Sequence, residues 1–239
     1  MVLKTIGIGV LTAVIATVLV AGSRIAFGQT LPPSVPERVA ALKVTLAASQ
    51  VALRQYEWIE TTVVSLKGEE KSRKQQRCYY GADGALQKVL IDASPPPEAK
   101  RGLRGRIIAN KKAELTDYMQ SAVSLVKSYV PPDPARIQAA KDAGKVSIDV
   151  LQPGKRARIN FRDYQKPGDN LGVEIDLANN VIARVTVATY LDDAADSVTL
   201  DAHMSQLNDG TVYTSDIALN AQAKNLTVTV QNTGYRKTS

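Results

Sequence analysis

The sequence predicts an α+β protein: a curved antiparallel sheet of about ten strands, an unclosed β-barrel, covered on its concave apolar face by two or three helices. Three observations carry this reading. Short runs of alternating apolar and polar residues recur between turn signals. Longer runs with apolar residues three and four apart occur only near the start and in the middle of the chain. The alternating runs leave one side apolar and the other polar, which suits a sheet packed on one face and wetted on the other.

In chain order, residues 1–28 have the three-part layout of a secretory signal peptide. Met1 to Lys4 give a positive start, Thr5 to Gly22 are uncharged and mostly apolar, and Ala26-Phe27-Gly28 offers a small-x-small cleavage site. The apolar run 5–22 is also long enough to stay as an uncleaved N-terminal anchor. Either outcome puts the remainder in the periplasm or another extracytoplasmic space. Loss of this segment removes Lys4 and Arg24 and no acid, so the formal charge falls from +7 to +5. The single cysteine, Cys78, excludes an internal disulfide, and its setting in KQQRCYYG suits a buried small hydrophobe rather than a reactive thiol.

Residues 29–36 (QTLPPSVP) form a proline-rich linker, and 37–239 a single domain with a helical insertion at about 98–144. The spacing of Val39, Leu42, Leu46, Ala47, Val51 and Leu53 predicts a helix over 35–53. QYEWIETTVVSL then alternates, with Tyr56, Trp58, Thr62, Val64 and Leu66 on one side and Ile59, Thr61 and Val63 on the other. Turns at Lys67-Gly68-Glu69 and Ala82-Asp83-Gly84 return KQQRCYYG and LQKVLI as a three-strand meander, which Pro95-Pro96-Pro97 ends.

A helical stripe follows, through Leu115, Met119, Ala122, Val126 and Tyr129, with Val123 and Val130 beside it. Pro131-Pro132 stops it, and Asp133-Pro134 opens a shorter helix, Ala135 to Ala143. VSIDVL, RARINF, LGVEIDL, VIARVTVATYL, SVTLDAHM, TVYTSDIAL and LTVTV complete the chain as strands. Their polar sides present Arg158 and Arg162, then Glu174 and Asp176, then Arg184, then Asp201, and this sign alternation predicts pairing across neighbours on a solvated face.

The inventory for catalysis is thin. The one histidine, His203, shares a strand side with Asp201 and Ser205, whereas a nucleophile and its base need convergence from separate elements. No Cys/His cluster suggests zinc, no glycine-rich loop a phosphate and no nucleophile elbow an acyl transfer, so neither enzymatic activity nor a metal or cofactor is expected. Asn208-Asp209-Gly210 reads as a hairpin turn rather than a calcium loop.

The export signal, the helix running straight into an aromatic strand (LRQYEWIETTVVSLKGE), the meander, the helical insertion and the longer returning meander resemble the Lol-type, LolA/LolB-like, periplasmic lipoprotein carriers in the order of their elements. The resemblance implies an incomplete barrel with helices as a lid and a hydrophobic cavity for lipid or lipoprotein acyl chains. No functional residue carries over, because no family motif matches a position here. The absence of a lipid-modified cysteine departs from the membrane-anchored receptor type.

The expected function is therefore an exported, non-enzymatic binder or carrier of a lipid, acyl chain or other amphiphile, with Tyr56, Trp58, Val64, Met119, Val123 and Phe161 as its lining. The alternative is a structural or interaction protein of the envelope, anchored by its N-terminal helix, whose interior is simply core. The segment KRGLRGRIIANKK has no stacking aromatic for nucleic acid, which an exported protein seldom meets. Its cations Arg101, Arg104, Arg106, Lys111 and Lys112 are expected either as a solvated helix entrance or as a basic lip for an anionic membrane surface or acidic partner.

Overall fold

The structure, a computed structural model, describes residues 35–94 and 102–238. The signal or anchor segment, nearly all of the linker, the triple proline and Arg101 lie outside the described residues. The element order is α1 (Val35–Leu53), β1 (Tyr56–Leu66), β2 (Glu69–Tyr80), β3 (Leu86–Ala93), α2 (Gly102–Lys127), α3 (Pro134–Asp142), β4 (Val146–Gln152), β5 (Arg156–Arg162), β6 (Asn170–Asp176), β7 (Val181–Tyr190), β8 (Ser197–Gln206), β9 (Val212–Ala221) and β10 (Leu226–Lys237). All ten strands join one curved, open antiparallel sheet in the order β3-β2-β1-β10-β9-β8-β7-β6-β5-β4. Hairpins between sequential strands explain both arms, and the β1–β10 pairing joins the first strand to the last in the middle. The helical segment between β3 and β4 thus links the two edges.

Local chemistry sets the turns. Lys67 and Gly68 both take positive φ, 53° and 81°, as a two-residue turn between right-twisted strands requires. At α3, the Asp133 side chain accepts from the Ala135 N–H and Pro134 fills the first helical turn.

Three details depart from the sequence pattern. β2 starts at Glu69, because the charged run Glu69 to Arg73 remains extended with its ions paired locally: Arg73 with Glu70 at 2.7 Å and Lys71 with Glu69. β10 runs on to Lys237 through QNTGYRK, where Gly234 at φ 65° lies by the register shift between Glu57 and Ile59. On α1, Leu42 and Leu53 are buried, but Val51 is 63% exposed, since only one stripe of a helix can meet the sheet.

The register shows how the core is built. One transverse row on the helix-covered face runs Ile148, Ile159, Val173 and Val185 across β4 to β7. It continues through Ala202, Ile217 and Val230 on β8 to β10, then reaches Thr62 on β1 and Lys74 on β2. α1 rests over β7, β9 and β1, α2 over β8 and β9, and α3 over β5. Leu42, Met119, Ala122, Val123, Val126, Ile137 and Ala140 of the helices join the strands in one core. Fully burying a valine, leucine, isoleucine or methionine side chain contributes roughly 1.5–3 kcal/mol.

Polar contacts hold α2 at the rim. The Tyr118 hydroxyl donates to Asp196 at 2.5 Å, and Lys224 pairs with Glu114 at 2.8 Å. Just past the helix, the Tyr129 hydroxyl donates to Asp169 Oδ2 at 2.5 Å and lies 2.8 Å from Thr189 Oγ1. Asp169, also buried, accepts the backbone N–H groups of Tyr164, Gln165 and Lys166. A buried carboxylate holds in this way because both of its oxygens meet donors.

Candidate functional site: the helix-covered face and its basic wing

α2 meets β8, β9 and β10 across an apolar gap. Val123 and Val126 face Leu200, Leu219, Val228 and Val230, with Lys127 at the margin. The cavity left there is about 10 Å³, room for roughly one water, so the helix closes down on the sheet. A larger cleft of about 440 Å³ lies at the turn end of β1 and β9, lined mainly by hydroxyls and amides such as Thr199, Asn220 and Asn225. It is separate from the apolar gap.

Across β1, β2 and β3 the covered face changes character. Glu60 is 6% exposed, and Lys88 of β3 places its Nζ 2.6 Å from both Glu60 oxygens. Gln76, opposite Glu60, is also buried. Lys74, one step along β2 on the same side, forms no ion pair among the described residues. Burial lowers its pKa first, Lys88 lowers it further, and Glu60 opposes. Burial and then Lys88 lower Lys127 in the same direction, which brings the last turn of α2 into the field of the same cluster. Beneath them lies Cys78, fully buried, its thiol pushed up to about 11 by burial first and by Glu60 second. A thiol so placed is a poor nucleophile.

The sequence reading missed this cluster, although a signal was present. In YEWIETTVV, Glu60 falls on the same side as Trp58 and Thr62, a carboxylate in an otherwise packed alternation. Its partner Lys88 is distant in sequence and only strand order brings it near.

Of the six residues expected to line a cavity, Met119, Val123 and Phe161 share the main core, with Val64 packed against it. Tyr56 and Trp58 belong to a separate aromatic cluster. The Trp58 ring stacks on Tyr235 at 5.3 Å, Tyr213 lies 4.3 Å from Tyr235, and Trp58 Nε1 donates to Asn232 at 3.1 Å. Tyr56 donates to Asp209 at 2.5 Å and holds that carboxyl well below the usual range.

Among the expected basic positions, Arg106, Lys111 and Lys112 are exposed along the first half of α2. Arg101 and the side chain of Arg104 lie outside the described residues.

On the opposite face, Arg158 pairs with Glu174, Arg184 bridges Glu174 at 3.5 Å and also binds Asp201, and His203 Nε2 sits 3.2 Å from Asp201. The ladder of alternating charge is present across four strands, but Arg162 and Asp176 stand outside it: Arg162 is opposite Asn170, and Asp176 caps its own turn by accepting the Ala178 and Asn179 N–H groups. His203 faces a carboxylate already held by Arg184, and no hydrogen bond joins it to Ser205 among the described residues. No group of three or more His, Cys, Asp and Glu gathers as a metal would need, again among the described residues.

No protein-family model matches the sequence, and no curated protein aligns with it. Among solved structures, the chain is similar to a DUF1329 family protein from Desulfovibrio piger, with 7% identity, coverage of 83% of this chain and 92% of the other, and a TM-score of 0.33.

Proposed function

We propose that this chain is an exported, non-enzymatic protein that binds or carries an amphiphile between its curved sheet and α2. One observation carries the reading: the helix-covered face is divided, with an apolar row across β4 to β10 ending in a polar, basic wing on β1 to β3. A ligand with a tail and a head matches such a face. Each methylene moved from water into the gap contributes roughly 0.8 kcal/mol.

Binding requires α2 to lift, because the gap holds only about 10 Å³. The contacts of Tyr118, Glu114 and Tyr129 at the rim make α2 a latched lid, and the exposed Arg106, Lys111 and Lys112 are available to an anionic membrane. The test is lipid bound to natively purified protein by mass spectrometry, with titration of a fluorescent fatty acid into delipidated protein. Lipid carried through purification and saturable binding support the carrier. Neither signal sinks it.

The filled gap itself favours a second reading, a structural or interaction protein of the envelope with no ligand. An N-terminus retained at Met1 together with absence of bound lipid supports that reading. A mature protein starting at Gln29 removes its anchor.

A further inference from the structure

The position of Lys74 requires a physical account. It lies on the covered side of β2, opposite Thr62 of β1 and Ala93 of β3, at the end of the row that begins with Ile148. The neighbouring carboxylate, Glu60, is already engaged by Lys88 through both oxygens. Two ammonium groups therefore share one carboxylate on a partly desolvated surface, and a charge removed from water is costly unless a counter-charge meets it. Lys127 enters from the opposite layer, at the margin of the apolar gap.

The wing thus combines what an anionic head group needs with a wall for its tail. Val230 stands one strand from Thr62 and two from Lys74 in the same row, and it also lines the gap beneath Val126. A carboxylate or phosphate near Lys74, Lys88 and Lys127 would have its chain directed along Val230 and Val228 under α2.

We infer that the Lys74, Lys88 and Lys127 side chains form a head-group site for an anionic amphiphile, selecting a carboxylate or phosphate head over a neutral one. This rests on the proposed amphiphile binding and specifies its ligand class. Glu60 positions Lys88 and offsets its charge beside Lys74 when the ligand leaves. The exposed cations Arg106, Lys111 and Lys112 play no part in this selection; they lie on the first half of α2, whereas Lys127 ends the helix.

The experiment measures binding of dodecanoate, dodecyl phosphate and dodecanol to the purified full chain by displacement of a fluorescent fatty acid. Charge-assisted contacts should make each anion bind about tenfold tighter than the alcohol. Lys74→Met and Lys127→Met, which keep the apolar stem, should each cut that preference to about threefold or less and leave dodecanol binding unchanged, while Lys127→Arg retains it. Thermal midpoints check that the variants fold.

Equal binding of acid and alcohol to the wild type, or an undiminished preference in both methionine variants, overturns the head-group site while amphiphile binding stands. Binding of none of the three removes the proposed function itself, and this inference with it. Inorganic phosphate at millimolar concentration should leave dodecyl phosphate bound. Displacement by phosphate alone would mark a free-anion site and overturn the amphiphile assignment.

Discussion

Replacing Tyr129 by Phe isolates the contact that ties the end of α2 to the sheet. The ring is fully buried, so the substitution keeps its packing and deletes one hydroxyl. That hydroxyl donates to Asp169 at 2.5 Å and lies 2.8 Å from Thr189 Oγ1. Asp169 keeps its three backbone donors, so the loss is one hydrogen bond to an ion plus a less satisfied Thr189. Bonds to charged groups contribute roughly 1.5–3 kcal/mol, which sets the expected loss at about 2 kcal/mol. For a domain of this size the thermal midpoint should fall by about 4–8 °C. Urea unfolding followed through Trp58, the only tryptophan, measures it, since that ring is buried and becomes wet on unfolding. Tyr190→Phe is the control: its hydroxyl donates to the Pro167 carbonyl at 2.9 Å in an exposed setting, and its loss should stay within about 0.5 kcal/mol. A Tyr129→Phe loss no larger than the control's would refute the latch at this end and leave α2 held by apolar burial and the Tyr118 and Glu114 contacts.

The same residue sets an alkaline limit. Burial first, and the Asp169 contact second, raise the Tyr129 hydroxyl, and Tyr118 is raised by burial and Asp196. The folded state therefore holds protons that the unfolded chain releases near pH 10, so this stability is complete below about pH 10 and is lost as pH rises further. Alkaline unfolding should be less steep in Tyr118→Phe and Tyr129→Phe. Glu60→Gln leaves Lys88 and Lys74 without their carboxylate and should cost about 3 kcal/mol in denaturant unfolding, largely recovered by adding Lys88→Met; equal losses in the single and double variants would disprove the pairing. Cys78, fully buried and with its thiol raised to about 11, should resist iodoacetamide in the folded protein at neutral pH and react in urea; fast labelling of folded protein would contradict this placement. His203→Ala should change stability by less than about 0.5 kcal/mol in the same unfolding assay, because its contact to Asp201 is half-exposed.

Periodicity is a local property, and where burial follows it the sequence was readable. The alternation of Val198 and Leu200 with Thr199 and Asp201, the spacing of Met119, Ala122, Val123 and Val126, and the glycine turns state the face and type of each element before any neighbour is known. The extension of β2 through Glu69 to Arg73 and of β10 through QNTGYRK was not readable in that way. The β2 extension rests on its pairing with β1, and polar side chains of β10 meet partners that only pairing supplies, such as Trp58 donating to Asn232.

The candidate site shows the same division. Residues close in the apolar stripe, Met119 and Val123, were recognised together, whereas Tyr56 and Trp58, adjacent in the pattern to Val64, belong with Tyr213 and Tyr235 in another cluster. The sequence by itself determined the α+β class, the two hairpin meanders either side of the helical segment and the sidedness of most strands, because these follow from each residue's own preference for water or for a turn. Only the tertiary structure decided that β1 pairs with β10, that Lys88 reaches Glu60, and that α2 closes on Val228 and Val230. Electrostatic and packing partners are chosen by distance in space, and chain order does not encode that distance.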